Sequence, residues 1–186
     1  MSKSERLYSE RLILRQWQEL DRAIFAHINA DPDVMAYFPT TLSQQESNQL
    51  LDRLAHHIAE KGWGLWALEQ IDSAHLVGFV GLQEVNDALP FSPAVEIGWR
   101  LAREYWGQGF ATEAAKRVLT FAFEELELNE IVSFTSIHNT RSRAVMERLG
   151  MLDSHNDFDH PALPQGHYLQ SHALYRLTRD RWRQEN

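Results

Sequence analysis

Residues 105–114 read YWGQGFATEA and place two glycines, Gly107 and Gly109, between an expected strand and a long expected helix. Glycines at this point let the backbone turn tightly and approach a ligand closely. The first turn of a helix also has unpaired N–H groups and the positive end of the helix dipole, which together attract anions. The segment therefore predicts a loop that binds phosphate through backbone amides, without a lysine or arginine of its own.

Other interpretations of the two glycines compete with this one. A P-loop requires Lys followed by Ser or Thr after its glycines, and no such pair follows here. A dinucleotide-binding fingerprint requires a third small residue where Thr112 stands, and it belongs to a first βαβ unit, whereas several antiparallel strands are expected before this segment. A glycine-rich turn that only starts a helix is the simplest alternative, so the glycines alone do not decide the function.

The front of the chain predicts one strand and two helices. The strand is expected over residues 7–15. The first helix is expected to have an apolar face formed by Leu20, Ile24 and Ile28. The second helix has better signals, because Ser43 and Glu46 form a capping box and Gly62 stands where a helix ends.

The rest of the chain predicts an antiparallel meander followed by alternating helices and strands. The meander strands are expected over residues 63–70, 75–85 and 94–102. A helix over 109–127, a strand over 130–137, a short helix over 139–149 and a final strand over 167–177 follow. Because no linker-like stretch divides the chain, residues 1–186 are predicted to form a single mixed α/β domain.

Composition excludes several classes of protein. The net charge of −8 and pI of about 5.6 disfavour nucleic acid as a partner. The same charge mildly favours a cationic substrate, although it also serves solubility alone. Without cysteine the chain has no disulfide, no thiolate metal site and no Cys nucleophile. We see no signal peptide and no apolar run long enough to span a membrane, so a cytoplasmic protein is expected.

Three segments in a fixed order, EIGWRLA, YWGQGFATEA and SFTSIHNTRSRAVMERLGM, carry a resemblance that covers nearly the whole chain. They resemble the GCN5-related N-acetyltransferases (GNAT), and most of all the RimJ/RimL-like branch of ribosomal-protein N-terminal acetyltransferases. The resemblance implies a mixed α/β, GNAT-like fold. Its central sheet is twisted and mostly antiparallel, with about six to seven strands, flanked by helices and splayed at the acyl-CoA site.

The resemblance also implies acetyl-CoA as cosubstrate, with coenzyme A bound in three places. In the loop at 106–111 and just after it, backbone amides from Gln108 to Thr112 hold the pyrophosphate, although Trp106 stands where the family often has Arg or Gln. The strand before the loop and Asn139 contact the pantetheine arm, and Ser142 and Arg143 fall where thiol-end and phosphate contacts are often found. The predicted cofactor-binding residues are Trp99, Arg100, Leu101, Gly107, Gln108, Gly109, Phe110, Ala111, Thr112, Asn139, Ser142 and Arg143.

Acetyl transfer to an amine needs a base, because an ammonium with a pKa of about 10 has no lone pair at pH 7. Glu96, early in an otherwise apolar strand, is the predicted base, and Glu84 is a weaker alternative. The alternative role for Glu96 is an ion pair with a nearby arginine. Many relatives have, on the last helix, a tyrosine that acts as the general acid, but this chain has Met146 at that position. Ser142, one turn earlier, is the predicted acid, unless it only binds cofactor.

The expected acceptor is a primary amine on a small molecule or a protein N-terminus, and the expected mechanism is direct attack in a ternary complex. No metal is predicted, since the acidic and histidine-rich tail matches no ligand spacing. A monomer or a homodimer is expected. Two alternatives stay open: a non-catalytic acyl-CoA-binding regulatory module, and a dinucleotide oxidoreductase, which the strand order disfavours.

Overall fold

The computed structural model describes residues 6–185, so the expectation for the start of the chain lies partly outside the described residues. A 3₁₀ turn (Arg103–Tyr105) precedes the helix α3 (Phe110–Thr120), which continues as a π-helical turn (Phe121–Glu125). Within the described part of the chain, no helix has the length and apolar character to span a membrane. The helices are α1 (Asp21–Ala30), α2 (Gln44–Lys61), α3 (Phe110–Thr120), α4 (Thr140–Arg148) and α5 (Arg179–Glu185).

Over residues 6–185 the sheet has nine strands, of which six have four residues or more. The predicted fold class, a mostly antiparallel sheet flanked by helices, is confirmed, and the longer strands account for the expected six to seven. The strands are β1 (Leu7–Tyr8), β2 (Leu12–Arg15), β3 (Leu65–Gln70), β4 (Leu76–Glu84), β5 (Val95–Leu101), β6 (Glu130–Ser136), β7 (Leu152–Asp153), β8 (Phe158–Asp159) and β9 (Ser171–Thr178).

The chain divides into two compact units, and it passes from one to the other within β4, β5 and α3. The first unit holds the described residues up to 82 and residues 98–118. Its strands follow the order β1-β2-β3-β4-β5, with antiparallel pairing from β1 to β4. Aromatic rings of Trp17, Phe25 and Phe79 pack together with centroids 4.6–6.5 Å apart. A single domain over residues 1–186 stays a prediction.

The second unit holds residues 83–97 and the described residues from 119 onward. Its strands follow the order β5-β6-β9-β7, and β8 also pairs with β9. Here β5 and β6 are parallel, with Glu96 opposite Val132, because α3 lies between them in the chain and makes the crossover that parallel strands require. Its core contains Val85, Leu89, Val132 and Leu174, with Phe91, Ala94, Phe134 and Phe158 packed against them.

The expected first strand is wrong as a single element. Residues 7–15 form a hairpin of β1 and β2, in which Leu7 lies opposite Leu14. The N–H of Ser9 donates to the carbonyl of Leu12 at 3.0 Å and closes the turn. The alternating pattern did not predict this turn. Its polar residues take part in the site described below.

The expected apolar face of α1 is also wrong, because only Ile28 of the three residues is buried. Leu20 lies outside the helix and is 85% exposed, and Ile24 is 43% exposed. The buried face instead includes Asp21, whose carboxylate accepts hydrogen bonds from Arg15 at 2.8 and 2.9 Å. A carboxylate can be buried when a cation neutralises it, and hydrophobic spacing does not detect such a pair.

Local signals located α2 and α4 well. The capping box of α2 is present in both directions between Ser43 and Glu46, and Gly62 ends the helix in the left-handed region. In α4 the side chain of Asn139 caps the first turn, as predicted. The final strand begins at Ser171, later than predicted, and α5, which follows it, was not predicted at all.

Candidate active site

In the first unit the glycine loop, residues 106–111, leads into α3 as predicted. Gly107 and Gly109 both have the left-handed backbone conformation, with φ of +73° and +80°. The N–H of Glu113 donates to the carbonyl of Gly109 at 3.0 Å, which is the first hydrogen bond of the helix. The amides of residues 110–112 precede that bond, so they are the groups that a helix start offers to an anion.

An acidic residue in the first turn of α3 is held by the β1–β2 turn. The carboxylate of Glu113 accepts hydrogen bonds from the Ser9 hydroxyl at 2.7 Å and from the Arg11 amide at 2.8 Å. Arg11 also binds it through Nε at 2.7 Å and through Nη2 at 2.6 Å. Burial alone would raise the pKa of Glu113, but the hydrogen bonds from Ser9 and Arg11 outweigh it and hold the pKa below its usual value.

The same arginine steadies the glycine loop. Nη1 of Arg11 donates to the carbonyl of Gln108 at 3.1 Å, and the guanidinium lies 4.5 Å from the ring centroid of buried Phe110. The Gln108 side chain donates to the carbonyl of Glu104 at 2.8 Å. Sequence analysis missed Ser9, Arg11 and Glu113, although an acidic residue in a first helical turn is a common sign of a helix start.

The predicted strand residues before the loop lie in the same unit, at the end of β5. The carbonyl of Leu101 accepts a hydrogen bond from the Trp106 indole at 3.0 Å, which ties the strand to the glycine loop. Trp99 and Arg100 are half-buried. Contact of these backbones with pantetheine stays a prediction.

Glu96, the predicted base, lies in the second unit. Its carboxylate is partly buried and accepts one hydrogen bond, from Gln83 Nε2 at 3.0 Å. Burial raises the pKa of Glu96 to about 7, and the hydrogen bond from Gln83 opposes only part of that rise. The alternative role does not fit, because no cation within residues 6–185 forms an ion pair with Glu96. Glu84, the weaker alternative, is exposed.

Asn139 and Ser142 form a small polar group at the start of α4. The Asn139 carbonyl oxygen accepts from the Ser142 amide at 3.2 Å, and its amide nitrogen donates to Ser142 Oγ at 3.1 Å and to Thr135 Oγ1 at 3.0 Å. Ser142 Oγ therefore accepts a bond from Asn139 and keeps its own proton for another acceptor. Over residues 6–185 no hydrogen bond joins Ser142 to Glu96, so the structure leaves their joint action untested.

The Arg143 side chain is engaged within the second unit. Its guanidinium donates to the Tyr175 hydroxyl at 3.2 Å, to the Ile137 carbonyl at 3.2 Å and to Asp153 at 3.4 Å. The Tyr175 hydroxyl in turn donates to Glu147 at 3.2 Å, so this buried tyrosine is occupied by structural partners. A cofactor contact by Arg143 stays a prediction. Among residues 6–185 no group of three His, Cys, Asp or Glu side chains could hold a metal ion.

Comparison with known proteins agrees with the fold. A family model described as "Acetyltransferase (GNAT) domain" matches residues 11–152. The chain is 28% identical over 183 residues to the FsC-acetyl coenzyme A-N(2)-transacetylase of Aspergillus fumigatus, covering 95% of this chain and 77% of that protein. It is 38% identical over 78 residues to "Putative ribosomal N-acetyltransferase YdaF" of Bacillus subtilis, covering 42% and 41% of the two chains. The crystal structure of a GNAT-family acetyltransferase from Bacillus anthracis superimposes with a TM-score of 0.80 at 24% identity, covering 95% of this chain and 99% of that one.

These findings define the protein as an acyl-CoA-dependent acetyltransferase. The chain belongs to the GNAT family, as its three motif segments predicted. The similarity to a protein named as a ribosomal N-acetyltransferase agrees with the predicted RimJ/RimL-like branch.

Proposed function

We propose that this enzyme transfers an acetyl group from acetyl-CoA to a primary amine, on a small molecule or a protein N-terminus, by direct attack in a ternary complex. The family supports acetyl transfer from acetyl-CoA. Two similar proteins have names that refer to acetyl transfer to nitrogen, one as an N(2)-transacetylase and one as a putative ribosomal N-acetyltransferase. The single observation that carries the catalytic proposal is the carboxylate of Glu96, whose pKa of about 7 suits proton transfer at neutral pH.

In the proposed reaction Glu96 takes a proton from the acceptor ammonium, directly or through water. The freed amine attacks the thioester carbonyl, and a C–N bond forms while the C–S bond breaks. The nitrogen loses its second proton and the departing thiolate of coenzyme A gains one, with the Ser142 hydroxyl as the proposed donor. The products are the N-acetyl compound, coenzyme A and one proton. No acyl-enzyme forms on cysteine, because the chain has none.

The glycine loop and the first turn of α3 are the proposed site for the pyrophosphate of coenzyme A. The support is the pair of left-handed glycines and the amides of residues 110–112 ahead of the first helical hydrogen bond. No basic side chain belongs to the loop, and the nearby charge of Arg11 is engaged with Glu113. We propose that backbone dipoles supply most of the attraction for the phosphates.

Acetyl-CoA is expected to raise the melting temperature of the protein by several degrees at 100 times its Kd, since ligand binding then adds about 2.7 kcal/mol to folding stability. NAD and ATP, tested at equal concentrations, are expected to give smaller shifts. Release of free thiol from acetyl-CoA is then measured over a panel of amines that includes amino acids, polyamines and short peptides. Absence of any shift with acetyl-CoA would overturn the cofactor proposal.

A second candidate function is a non-catalytic acyl-CoA-binding module. It is favoured by Met146, which is buried and stands where many relatives place a catalytic tyrosine. A shift with acetyl-CoA together with no thiol release from any amine would support this module and contradict the enzyme.

Ser142→Ala is expected to lower kcat by about 10- to 100-fold, at or below the usual range for a general acid, with little change in acetyl-CoA affinity. The helix should keep its cap, because the Asn139 carbonyl oxygen accepts from the backbone amide at position 142, and only the bond from the Asn139 amide nitrogen to the hydroxyl is lost. The comparison variant is Ser154→Ala, which also removes a partly buried hydroxyl of the second unit. Equal kcat values for the two variants, at similar melting temperatures, would show that the Ser142 hydroxyl has no catalytic role.

A further inference from the structure

Arg100 is a partly buried cation of the first unit for which residues 6–185 supply no carboxylate. Its Nη1 donates to the Asn29 side-chain carbonyl at 2.6 Å, and its guanidinium lies 4.3 Å from the Phe38 ring centroid and 5.2 Å from that of Phe79. Its Nε is buried and has no hydrogen-bond partner. Asn29 is itself held in place, because its amide donates to the buried hydroxyl of Ser47 at 2.9 Å. The guanidinium is therefore positioned on one side and unsatisfied at Nε.

An unpaired buried charge lowers folding stability. Another arginine of the same unit, Arg15, shows the pairing expected of a structural role. Arg15 is buried too, but Asp21 binds it through two oxygens and Glu69 binds its Nε at 2.5 Å. Arg100 has only a neutral amide and two aromatic rings, and burial lowers its pKa to about 10. A buried charge without a partner is destabilising. Charged groups with a perturbed pKa cluster at functional sites, where a ligand can supply the partner that the protein lacks.

The strand beside Arg100 has room for a ligand. A Cβ atom added at Gly98 would meet no atom within 4 Å, so open space lies over that position. Gly98 and Arg100 are two residues apart on β5, and side chains two apart point to the same face of a strand, about 6.6 Å from each other. The absence of a side chain at Gly98 therefore leaves a gap on the face from which the Arg100 side chain extends.

We propose that Arg100 binds a carboxylate of the acceptor, and hence that the acetylated amine belongs to a molecule that also has a carboxylate, as an amino acid does. This inference rests on the proposed function. A planar guanidinium can give a carboxylate two parallel hydrogen bonds, and Nε is one of the donors it uses. The pyrophosphate of coenzyme A is assigned to the glycine loop and the start of α3. The acceptor is therefore the source of the anion at Arg100.

The test compares amino acids with their carboxamides, which keep the amine and lose the carboxylate. For each pair, kcat/KM and the shift in melting temperature at saturating coenzyme A are measured with the wild type, Arg100→Met and Arg103→Met. Arg103 is the matched control, because it is an exposed arginine of the same unit whose partners are Asp31 and Asp33. For each protein, kcat/KM for the carboxylate is divided by kcat/KM for the carboxamide. Because this ratio is compared between proteins, the different reactivities of the two amines cancel.

The wild type and Arg103→Met are expected to share one ratio, and Arg100→Met to lower it by about 10- to 100-fold, the effect of losing hydrogen bonds to a charged group. The Kd of acetyl-CoA should not change. If Arg100→Met fails to fold, Arg100→Lys is used, and its loss of the paired donors should still lower the ratio several-fold. An unchanged ratio in the variant that folds overturns the proposal, as does a weakened Kd for acetyl-CoA, which would assign the anion to the cofactor.

Failure of this inference can be told apart from failure of the proposed function. Turnover of amines with the same ratio in all three proteins would leave acetyl transfer standing and remove the role of Arg100. Carboxylate-dependent melting shifts that Arg100→Met abolishes, with no turnover, would support the anion site and contradict catalysis.

Discussion

Glu96→Gln is expected to lower kcat by about 10²- to 10⁴-fold, the usual contribution of a positioned proton acceptor. The amide keeps the size of the side chain and its contact with Gln83, but it cannot accept a proton at neutral pH. Acetyl-CoA affinity should not change, because the carboxylate is assigned no part in cofactor binding. Steady-state kinetics with saturating acetyl-CoA and the best amine of the panel measure the effect.

The pH dependence gives this prediction a second, independent measurement. A base acts when it is deprotonated, so kcat/KM of the wild type should rise with pH and level off above the Glu96 pKa of about 7. In Glu96→Gln, kcat/KM should no longer show this rise with pH. Glu84→Gln, which changes an exposed side chain at the end of β4, is the matched control and should behave as wild type. A large loss in Glu84→Gln, with normal activity in Glu96→Gln, would exchange the roles of the two carboxylates.

Folding stability should change with pH in the opposite direction to activity. Because the folded-state pKa of Glu96 is raised, the native protein binds a proton more tightly than the unfolded chain does between pH 4.5 and about 7. This contribution to stability is complete below that window and is lost as pH rises through it, by at most about 3 kcal/mol. Glu96→Gln, which does not titrate, should remove this slope from denaturant-unfolding measurements.

Gly109→Val is expected to weaken acetyl-CoA binding by about 100-fold or more, because it disturbs amides that would each lose a charge-assisted hydrogen bond. Gly109 has φ of +80°, which a β-branched residue adopts only with strain of about 1–3 kcal/mol. Its backbone also starts α3, so any relief of the strain tilts the amides of residues 110–112. Isothermal titration with acetyl-CoA and coenzyme A gives the two Kd values.

Gly166→Val separates the effect of strain from the effect on the loop. Gly166 has nearly the same φ, +82°, and an added Cβ would meet no atom within 4 Å there, while at Gly109 it would lie in ordinary contact with Arg11 Nη2 at 3.6 Å. It lies in the second unit and is not among the residues predicted to bind the cofactor. It should therefore lose a similar amount of stability and keep its Kd. If both variants bind acetyl-CoA as the wild type does, the phosphates are not held by the amides at the start of α3.

The sequence predicted those parts of the fold that depend on nearby residues. The second helix could be located because Ser43, Glu46 and Gly62 are local signals of where a helix begins and ends. The glycine loop was located for the same reason. The face of α1 could not be predicted, because the burial of Asp21 depends on Arg15 and therefore on tertiary structure.

The candidate site shows the same division. Glu96 was identified as a carboxylate in an apolar strand, and the structure adds the desolvation that raises its pKa. Arg100 was identified only for its backbone, because its side-chain partners Asn29 and Phe38 come from α1 and from the loop after it. Local patterns cannot show that a charge is unpaired, since that depends on every residue that packs around it.

The bond between Arg11 and Glu113 makes the glycine loop dependent on a distant part of the sequence, 102 residues earlier. Transplanting residues 105–114 alone into another relative would import Glu113 without its cation. The carboxylate would then stand bare at the helix start and repel the phosphates that the amides attract. The β1–β2 turn and the glycine loop therefore depend on each other, and either segment can be exchanged only together with the other.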